Sequence, residues 1–180
     1  DILVLPDGEI LGLTDRSVLK LGPNGKAQVL TECLTEAHCF AFCEETASLV
    51  IAENGVRQQI RRFGLDGELL DAYGREGGRC QGRYRPRDFR QVSDVAADGE
   101  GGFFVVERQT APRRLARFDA DGKLVREWYG GQTFFVNTWH DPLKSEHVWI
   151  DSGNGWVIEC KVNFQKRTWK PYAVYKLDVS

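Results

Sequence analysis

The stretch SLVIAENGVRQQIRRFGLDGELL, residues 48–70, predicts three consecutive β-strands. The apolar run Leu49-Val50-Ile51-Ala52 and the run Ile60-Arg61-Arg62-Phe63 each have the length of a strand, and Glu, Asn and Gly residues separate them. The dipeptide Asp66-Gly67 then precedes a third apolar run. Asp-Gly is typical of a type I′ turn, in which both central residues have a positive φ, so we expect a tight β-hairpin here.

The same pattern recurs along the chain. Residues 38–53 (HCFAFCEETASLVIAE) align without a gap with residues 92–107 (VSDVAADGEGGFFVVE), and two further copies end at Asp15 and Asp151. Each copy continues into a second strand, and three of these strands run into a predicted type I′ turn. The three turns are Asn24-Gly25, Asp66-Gly67 and Asp121-Gly122.

Four strands in each of four units, without a helical 3.6-residue period, predict an all-β chain. A four-stranded repeat of about 40–50 residues has the size of a β-propeller blade, so we expect a single propeller domain over residues 1–180. The blades are expected at about 1–31, 37–74, 92–130 and 135–177. A single blade would leave an apolar face in water, so the repeat itself requires neighbouring blades.

Residues 48–70 and 102–125 resemble the NHL repeat, in which an apolar strand, an acidic residue, a polar turn and an Arg-containing strand precede Phe-x-x-Asp-Gly. The first unit is shorter than that pattern, and the last two lack its Asn-Arg pair. The end of the chain is similar to propeller modules of large bacterial secreted or surface proteins. The resemblance implies a ring of about six blades, four of them here, with a closed four-bladed ring as the alternative.

The NHL resemblance also implies a non-enzymatic scaffold that binds a protein or an anionic or glycan ligand, located outside the cell or in the periplasm. Further blades of a longer chain are expected partners. A formal net charge of −2 argues against nucleic-acid binding, and no apolar run is long enough to span a bilayer. The five cysteines predict buried thiols or one or two disulfides; they are Cys33, Cys39, Cys43, Cys80 and Cys160.

The long link between the second and third units is rich in arginine and contains aromatic residues. Guanidinium groups beside aromatic rings could bind an anionic ligand, whereas the alternative is a solvated loop whose arginines pair with Glu76 and Asp88. Aromatic residues concentrated in the last third could stack on sugars or fill the spaces between blades. The predicted ligand-binding residues are Arg75, Arg79, Arg83, Tyr84, Arg85 and Arg87.

No catalytic motif stands out from the repeat, and no cofactor is expected. The aligned acids at Asp15, Glu53, Glu107 and Asp151 could form a cation-binding ring, but we expect each to accept backbone N–H groups within its own turn. The alternative function is a lactonase of the gluconolactonase kind with calcium in the central channel. Its candidate ligands are Asp94, Asn137 and His140, which the innermost strands would place in that channel.

Overall fold

The computed structural model describes residues 1–108, 112–130, 138–153 and 155–177. All regular secondary structure in this part of the chain is β-strand, which confirms the predicted all-β class. It follows that these residues include no helix that could cross a bilayer.

The strands form four antiparallel sheets, each from a consecutive part of the sequence except for one added strand. Blade 1 contains β1 (Ile2–Val4), β2 (Ile10–Leu13), β3 (Val18–Leu21) and β4 (Ala27–Thr31). Blade 2 contains β5 (Ala37–Cys43), β6 (Ser48–Glu53), β7 (Gln59–Gly64) and β8 (Leu69–Tyr73). The link then carries β9 (Gly82–Arg83), and blade 3 contains β10 (Val92–Ala97), β11 (Phe103–Glu107), β12 (Arg114–Phe118) and β13 (Leu124–Tyr129).

Blade 4 has five strands, one more than the sequence predicts. Its own strands are β14 (Thr138–His140), β15 (His147–Gly153), β16 (Trp156–Asn163) and β17 (Thr168–Lys176). The link strand β9 completes the sheet by pairing antiparallel with β17, with Arg83 opposite Ala173. Two residues are too few to show a strand periodicity, so the sequence alone predicts a loop at this segment.

Sheet-on-sheet packing joins the first three blades, and β6 lies at its centre. All six residues of β6 are buried. Leu49 and Ile51 point toward blade 1, whereas Val50 and Ala52 point toward blade 3, as the alternation of side chains along a strand requires. Their partners are Leu11, Leu13 and Val18 in blade 1 and Phe103, Val105 and Phe118 in blade 3.

The predicted reversals occur at all three dipeptides, but the predicted turn type is wrong. Only the glycines have a positive φ, at 71° for Gly25, 86° for Gly67 and 67° for Gly122. In blade 2 the Gly67 N–H donates to Gly64 O at 3.0 Å and the Gly64 N–H donates to Glu68 O at 2.9 Å. This pattern is a type I turn followed by a left-handed glycine, and it lengthens the hairpin loop by one residue compared with type I′.

Two of the turn glycines also contact the preceding blade. A Cβ atom on Gly67 would collide with the backbone oxygen of Leu30 in blade 1, and one on Gly122 would collide with the Tyr73 ring in blade 2. Gly25, the equivalent residue of blade 1, has nothing within 4 Å of that position. Glycine is therefore required at Gly67 for its conformation and for the close approach of two blades.

We predict that Gly67→Ala destabilises the protein more than Gly25→Ala. Both substitutions place a side chain in the left-handed region, at a cost of about 1–2 kcal/mol. Only Gly67→Ala adds a backbone collision, which should bring its total to about 3 kcal/mol or more. Urea unfolding of the two variants and the wild type measures the difference, and equal losses would contradict the proposed contact between blades.

Candidate functional site

The link after blade 2 folds back on itself and connects blades 3 and 4. The Arg79 N–H donates to Phe89 O at 2.9 Å, and the Tyr84 N–H donates to Tyr172 O in β17 at the same distance. The Phe89 side chain is fully buried in the core shared by blades 2 and 3. These contacts hold the link between two sheets, so its side chains have defined positions.

A buried carboxylate of blade 3 holds the link in place. Glu107, at the end of β11, accepts the Arg90 N–H at 2.7 Å and pairs with Arg79 at 3.1 Å and with Arg114. All three charged side chains are at least 98% buried. Burial alone would raise the pKa of Glu107, but Arg114 and Arg79 together bring it below its ordinary value of 4.5. Glu107 is therefore a structural anion in the interior.

Tyr84 extends this network toward the surface. Its hydroxyl donates to Glu127 at 2.9 Å and accepts from Arg114 at 2.8 Å, and Arg114 also donates to Pro86 O at 2.6 Å. Burial is the main cause of the raised pKa of Tyr84. Glu127 also accepts a hydrogen bond from Arg114 at 2.9 Å. Its carboxylate therefore has two partners inside the protein, the Tyr84 hydroxyl and the Arg114 guanidinium.

The six residues predicted to bind a ligand divide into two groups. Arg79 and Tyr84 lie in the buried network, where Glu107 pairs with Arg79 and Glu127 accepts from the Tyr84 hydroxyl. The other four, which are Arg75, Arg83, Arg85 and Arg87, are exposed. Ligand binding by these four stays a prediction.

One exposed arginine lies in a cleft between the link, β13 of blade 3 and blade 4. We call this cleft, with a volume of about 300 Å³, the Arg83 cleft. Its cations are Arg83, Lys161 and Lys170, and its principal acid is Glu127. Arg83 and Lys170 form no ion pair among the residues that the structure describes. The Arg83 cleft therefore has an excess of positive charge in a chain whose net charge is negative.

Aromatic rings line the Arg83 cleft and the adjoining groove. Tyr129 contacts Trp169 with ring centroids 4.9 Å apart, and the Lys161 ammonium lies 4.9 Å from the centre of the Tyr172 ring. Trp169 belongs to the adjoining groove, of about 540 Å³, which shares Lys161 and Lys170 with the cleft. Part of the aromatic cluster predicted from the sequence thus lies beside exposed cations, while Trp156 is buried with the Arg90 guanidinium over its ring at 4.3 Å.

The four aligned acids do not form equivalent sites. Glu53 resembles Glu107, since it is buried, accepts the Thr35 N–H at 2.7 Å and pairs with Arg57 and Arg61. Asp15 is exposed, and Asp151 is half-buried. The prediction that each acid caps its own turn is wrong for Glu53 and Glu107, because the backbone N–H comes from the segment entering the same blade.

Two of the three candidate calcium ligands lie in the described part of the chain. Asp94 is exposed and accepts the N–H of Val95 at 2.9 Å, and His140 is hydrogen-bonded to Ser145 O at 2.8 Å. Asn137 lies outside the described residues. Among the described residues no group of three His, Cys, Asp or Glu side chains could hold a metal ion. Calcium binding by Asp94, Asn137 and His140 stays a prediction.

All five cysteines have free thiols. Of the two predicted alternatives, the structure therefore excludes the one or two disulfides. Cys39, Cys43 and Cys160 are buried, whereas Cys33 and Cys80 are exposed. Burial raises the pKa of Cys39 to about 12 and that of Cys160 to about 12, which keeps these thiols protonated and unreactive at neutral pH.

One buried polar cluster in blade 4 was missed by the sequence analysis. Glu159 lies in the middle of β16, where it is hydrogen-bonded to His147 and accepts from the Tyr175 hydroxyl at 2.8 Å. Burial and the Glu159 charge raise the pKa of Tyr175 to about 12. An acid inside the apolar run Val157-Ile158-Glu159-Cys160 was the available signal, since a buried carboxylate needs partners.

Two solved structures are similar to this arrangement of sheets. A gluconolactonase from Xanthomonas campestris is 20% identical over 85% of this chain and 53% of its own, with a TM-score of 0.50. U3-55K, a WD40 propeller, is 17% identical over 94% of this chain and 50% of its own, with a TM-score of 0.53. The fold is a β-propeller.

At these identities the likeness shows the fold alone, and the chain spans about half the length of either propeller. No protein-family model matches the sequence, and no curated protein matches it either. The functional argument therefore depends on the side chains of this propeller and not on its neighbours.

We predict that Glu107→Gln lowers the free energy of unfolding by about 3–5 kcal/mol at pH 7, because it removes the buried negative charge that pairs with both Arg79 and Arg114. The exposed Glu44→Gln is the control and should change stability little. Because the folded state lowers the pKa of Glu107, its stabilisation is present above pH 4.5 and is lost as the pH falls through the folded value. The difference between wild type and Glu107→Gln in urea should therefore shrink on acidification; a constant difference would contradict this role.

Proposed function

We propose that this chain is a non-enzymatic propeller scaffold, similar to NHL-repeat propellers, that binds an acidic polysaccharide in the Arg83 cleft. The observation that carries the proposal is the combination of unpaired cations and aromatic rings in one cleft. Arg83 comes from β9, Lys161 from β16 and Lys170 from β17, so paired strands present the cations at fixed positions.

The charge balance of the Arg83 cleft favours an anionic ligand. Glu127 is engaged by Arg114 and Tyr84, so it leaves the positive charges of Arg83 and Lys170 largely uncompensated. A guanidinium can donate two parallel hydrogen bonds to a carboxylate, whereas an ammonium acts as a point charge. Repeated carboxylates along a polymer fit this set of cations.

The aromatic rings favour a sugar over a simple anion. Trp169 and Tyr172 are partly exposed next to Lys170, and the flat face of such a ring can pack against the apolar face of a sugar. A ligand whose rings carry carboxylates would use the aromatic and cationic groups together. This ligand class is consistent with the extracellular or periplasmic location expected from the sequence, which belongs to the same proposal.

The test compares how tightly the wild type and the double variant Arg83→Ala/Lys170→Ala bind polygalacturonate. Each exposed ion contact is worth up to about 1 kcal/mol, so we expect binding to weaken roughly 10-fold. Raising the salt concentration from about 0.05 M to about 0.5 M should weaken wild-type binding as well, because it screens exposed charges. Isothermal titration calorimetry measures both effects.

The matched control is Lys26→Ala/Lys123→Ala, which removes the same charge from exposed turns of blades 1 and 3. This control should bind polygalacturonate like the wild type, and neutral dextran should bind neither variant nor wild type. An equal loss of polygalacturonate affinity in the two double variants would indicate a nonspecific charge effect. Retention of full affinity by Arg83→Ala/Lys170→Ala would rule out the Arg83 cleft as the site.

A further inference from the structure

The Arg83 cleft and the groove beside it meet at one pair of lysines. Lys161 and Lys170 line both cavities, and they lie directly opposite each other in the pairing of β16 with β17. Beyond this pair the groove is lined by Lys166 and Trp169, and we call it the Trp169 groove. Cations therefore occur in both cavities and at the point where the cavities meet.

The lysine pair stands where other blades have core residues. Lys161 occupies the same position relative to the aligned acid of its blade as Phe63 in blade 2 and Phe118 in blade 3. Both phenylalanines are fully buried, whereas Lys161 is half-buried and Lys170 is exposed. A position that is apolar and buried in two blades is thus charged and accessible in blade 4.

The lysine pair also has an electrostatic cost. Like charges directly opposite each other destabilise an antiparallel pair of strands. Lys161, Lys166 and Lys170 form no ion pair among the residues that the structure describes. The Trp169 groove has three lysines and a single acid, Glu146, among its lining residues. An arrangement that costs stability without a compensating contact indicates a binding function.

The hairpin that carries these lysines is longer than its counterparts. β16 and β17 have eight and nine residues, whereas the third and fourth strands of blades 1 to 3 have four to six. In blades 2 and 3 the pairing of these strands stops at Phe63 and Phe118, the positions equivalent to Lys161. Blade 4 continues for two further pairs, as far as Asn163 and Thr168, and the Trp169 groove lies along this added part.

We infer, on the basis of the proposed function, that the Arg83 cleft and the Trp169 groove form one site that binds an acidic polysaccharide along several sugar units. Arg83 lies opposite Ala173, and the Trp169 groove extends to Thr168, five residues earlier in β17. At about 3.4 Å per residue the site is therefore about 17 Å long, which exceeds the length of a disaccharide. High affinity thus requires an extended chain.

Isothermal titration calorimetry with digalacturonate and octagalacturonate tests this requirement. The titrations are done at about 0.15 M salt, where exposed charges more than about 8 Å apart are largely screened. The wild type should bind the octamer about 100-fold more tightly than the dimer, because the octamer occupies both cavities at once. The overlapping dimer units of an octamer would by themselves give a gain of only about sevenfold.

The variant Lys166→Glu alters the Trp169 groove and leaves the residues of the Arg83 cleft in place. It should weaken octamer binding about 10-fold and leave dimer binding unchanged, because a dimer in the Arg83 cleft does not reach Lys166. The matched control is Lys176→Glu, which makes the same charge change at an exposed residue of β17 that lines neither cavity. This control should bind both ligands like the wild type.

Two results would overturn the continuous site and keep the proposed function. In the first, the octamer binds no more tightly than its overlapping dimer units account for, while Arg83→Ala/Lys170→Ala weakens both ligands. In the second, Lys166→Glu binds the octamer as tightly as the Lys176→Glu control. A wild type that binds neither ligand would instead overturn the proposed function, and the continuous site with it.

Discussion

Contact between neighbouring sheets is the interaction on which the other features of this propeller depend. In β6, Leu49 and Ile51 belong to one interface and Val50 and Ala52 to the other, and all four are fully buried. Exposing one large aliphatic side chain to water costs about 1.5–3 kcal/mol, so the loss of either neighbour would remove much of what stabilises blade 2. Isolated hairpins are at best marginally stable in water, and the stack of sheets is therefore the unit that folds.

Buried carboxylates determine how the chain enters the middle blades. Glu53 and Glu107 each accept an N–H from the segment two residues before the first strand of their blade, from Thr35 and Arg90 respectively. Guanidinium groups pair with both carboxylates in the interior, where an unpaired charge would be costly. The strand end, the entering segment and the arginines are thus connected, and in blade 3 this arrangement also holds the link that carries the Arg83 cleft.

The repeat made the fold class and the reversals predictable, because strand periodicity and Asp-Gly dipeptides are local signals. The type of turn was not, since Asp66 and Asp121 are compatible with type I and type I′ turns and the strand register decides between them. The burial of Arg79 and Tyr84 could not be predicted from the sequence either. An arginine in a polar segment looks the same whether it faces water or a buried acid, and Glu107 lies 28 residues from Arg79. Of the residues that line the Arg83 cleft, Arg83 and Tyr84 were predicted, whereas Lys161 and Lys170 come from distant strands.

The pairing of β9 with β17 has a consequence for the order of assembly. Arg83 lies opposite Ala173, so the cleft depends on pairing between segments that are 90 residues apart in the chain. Pairing between such distant segments is entropically slow compared with the closure of local hairpins. During translation β9 cannot pair until β17 has left the ribosome, so the cleft acquires its shape only after the sheets of blades 1 to 3 can already have formed.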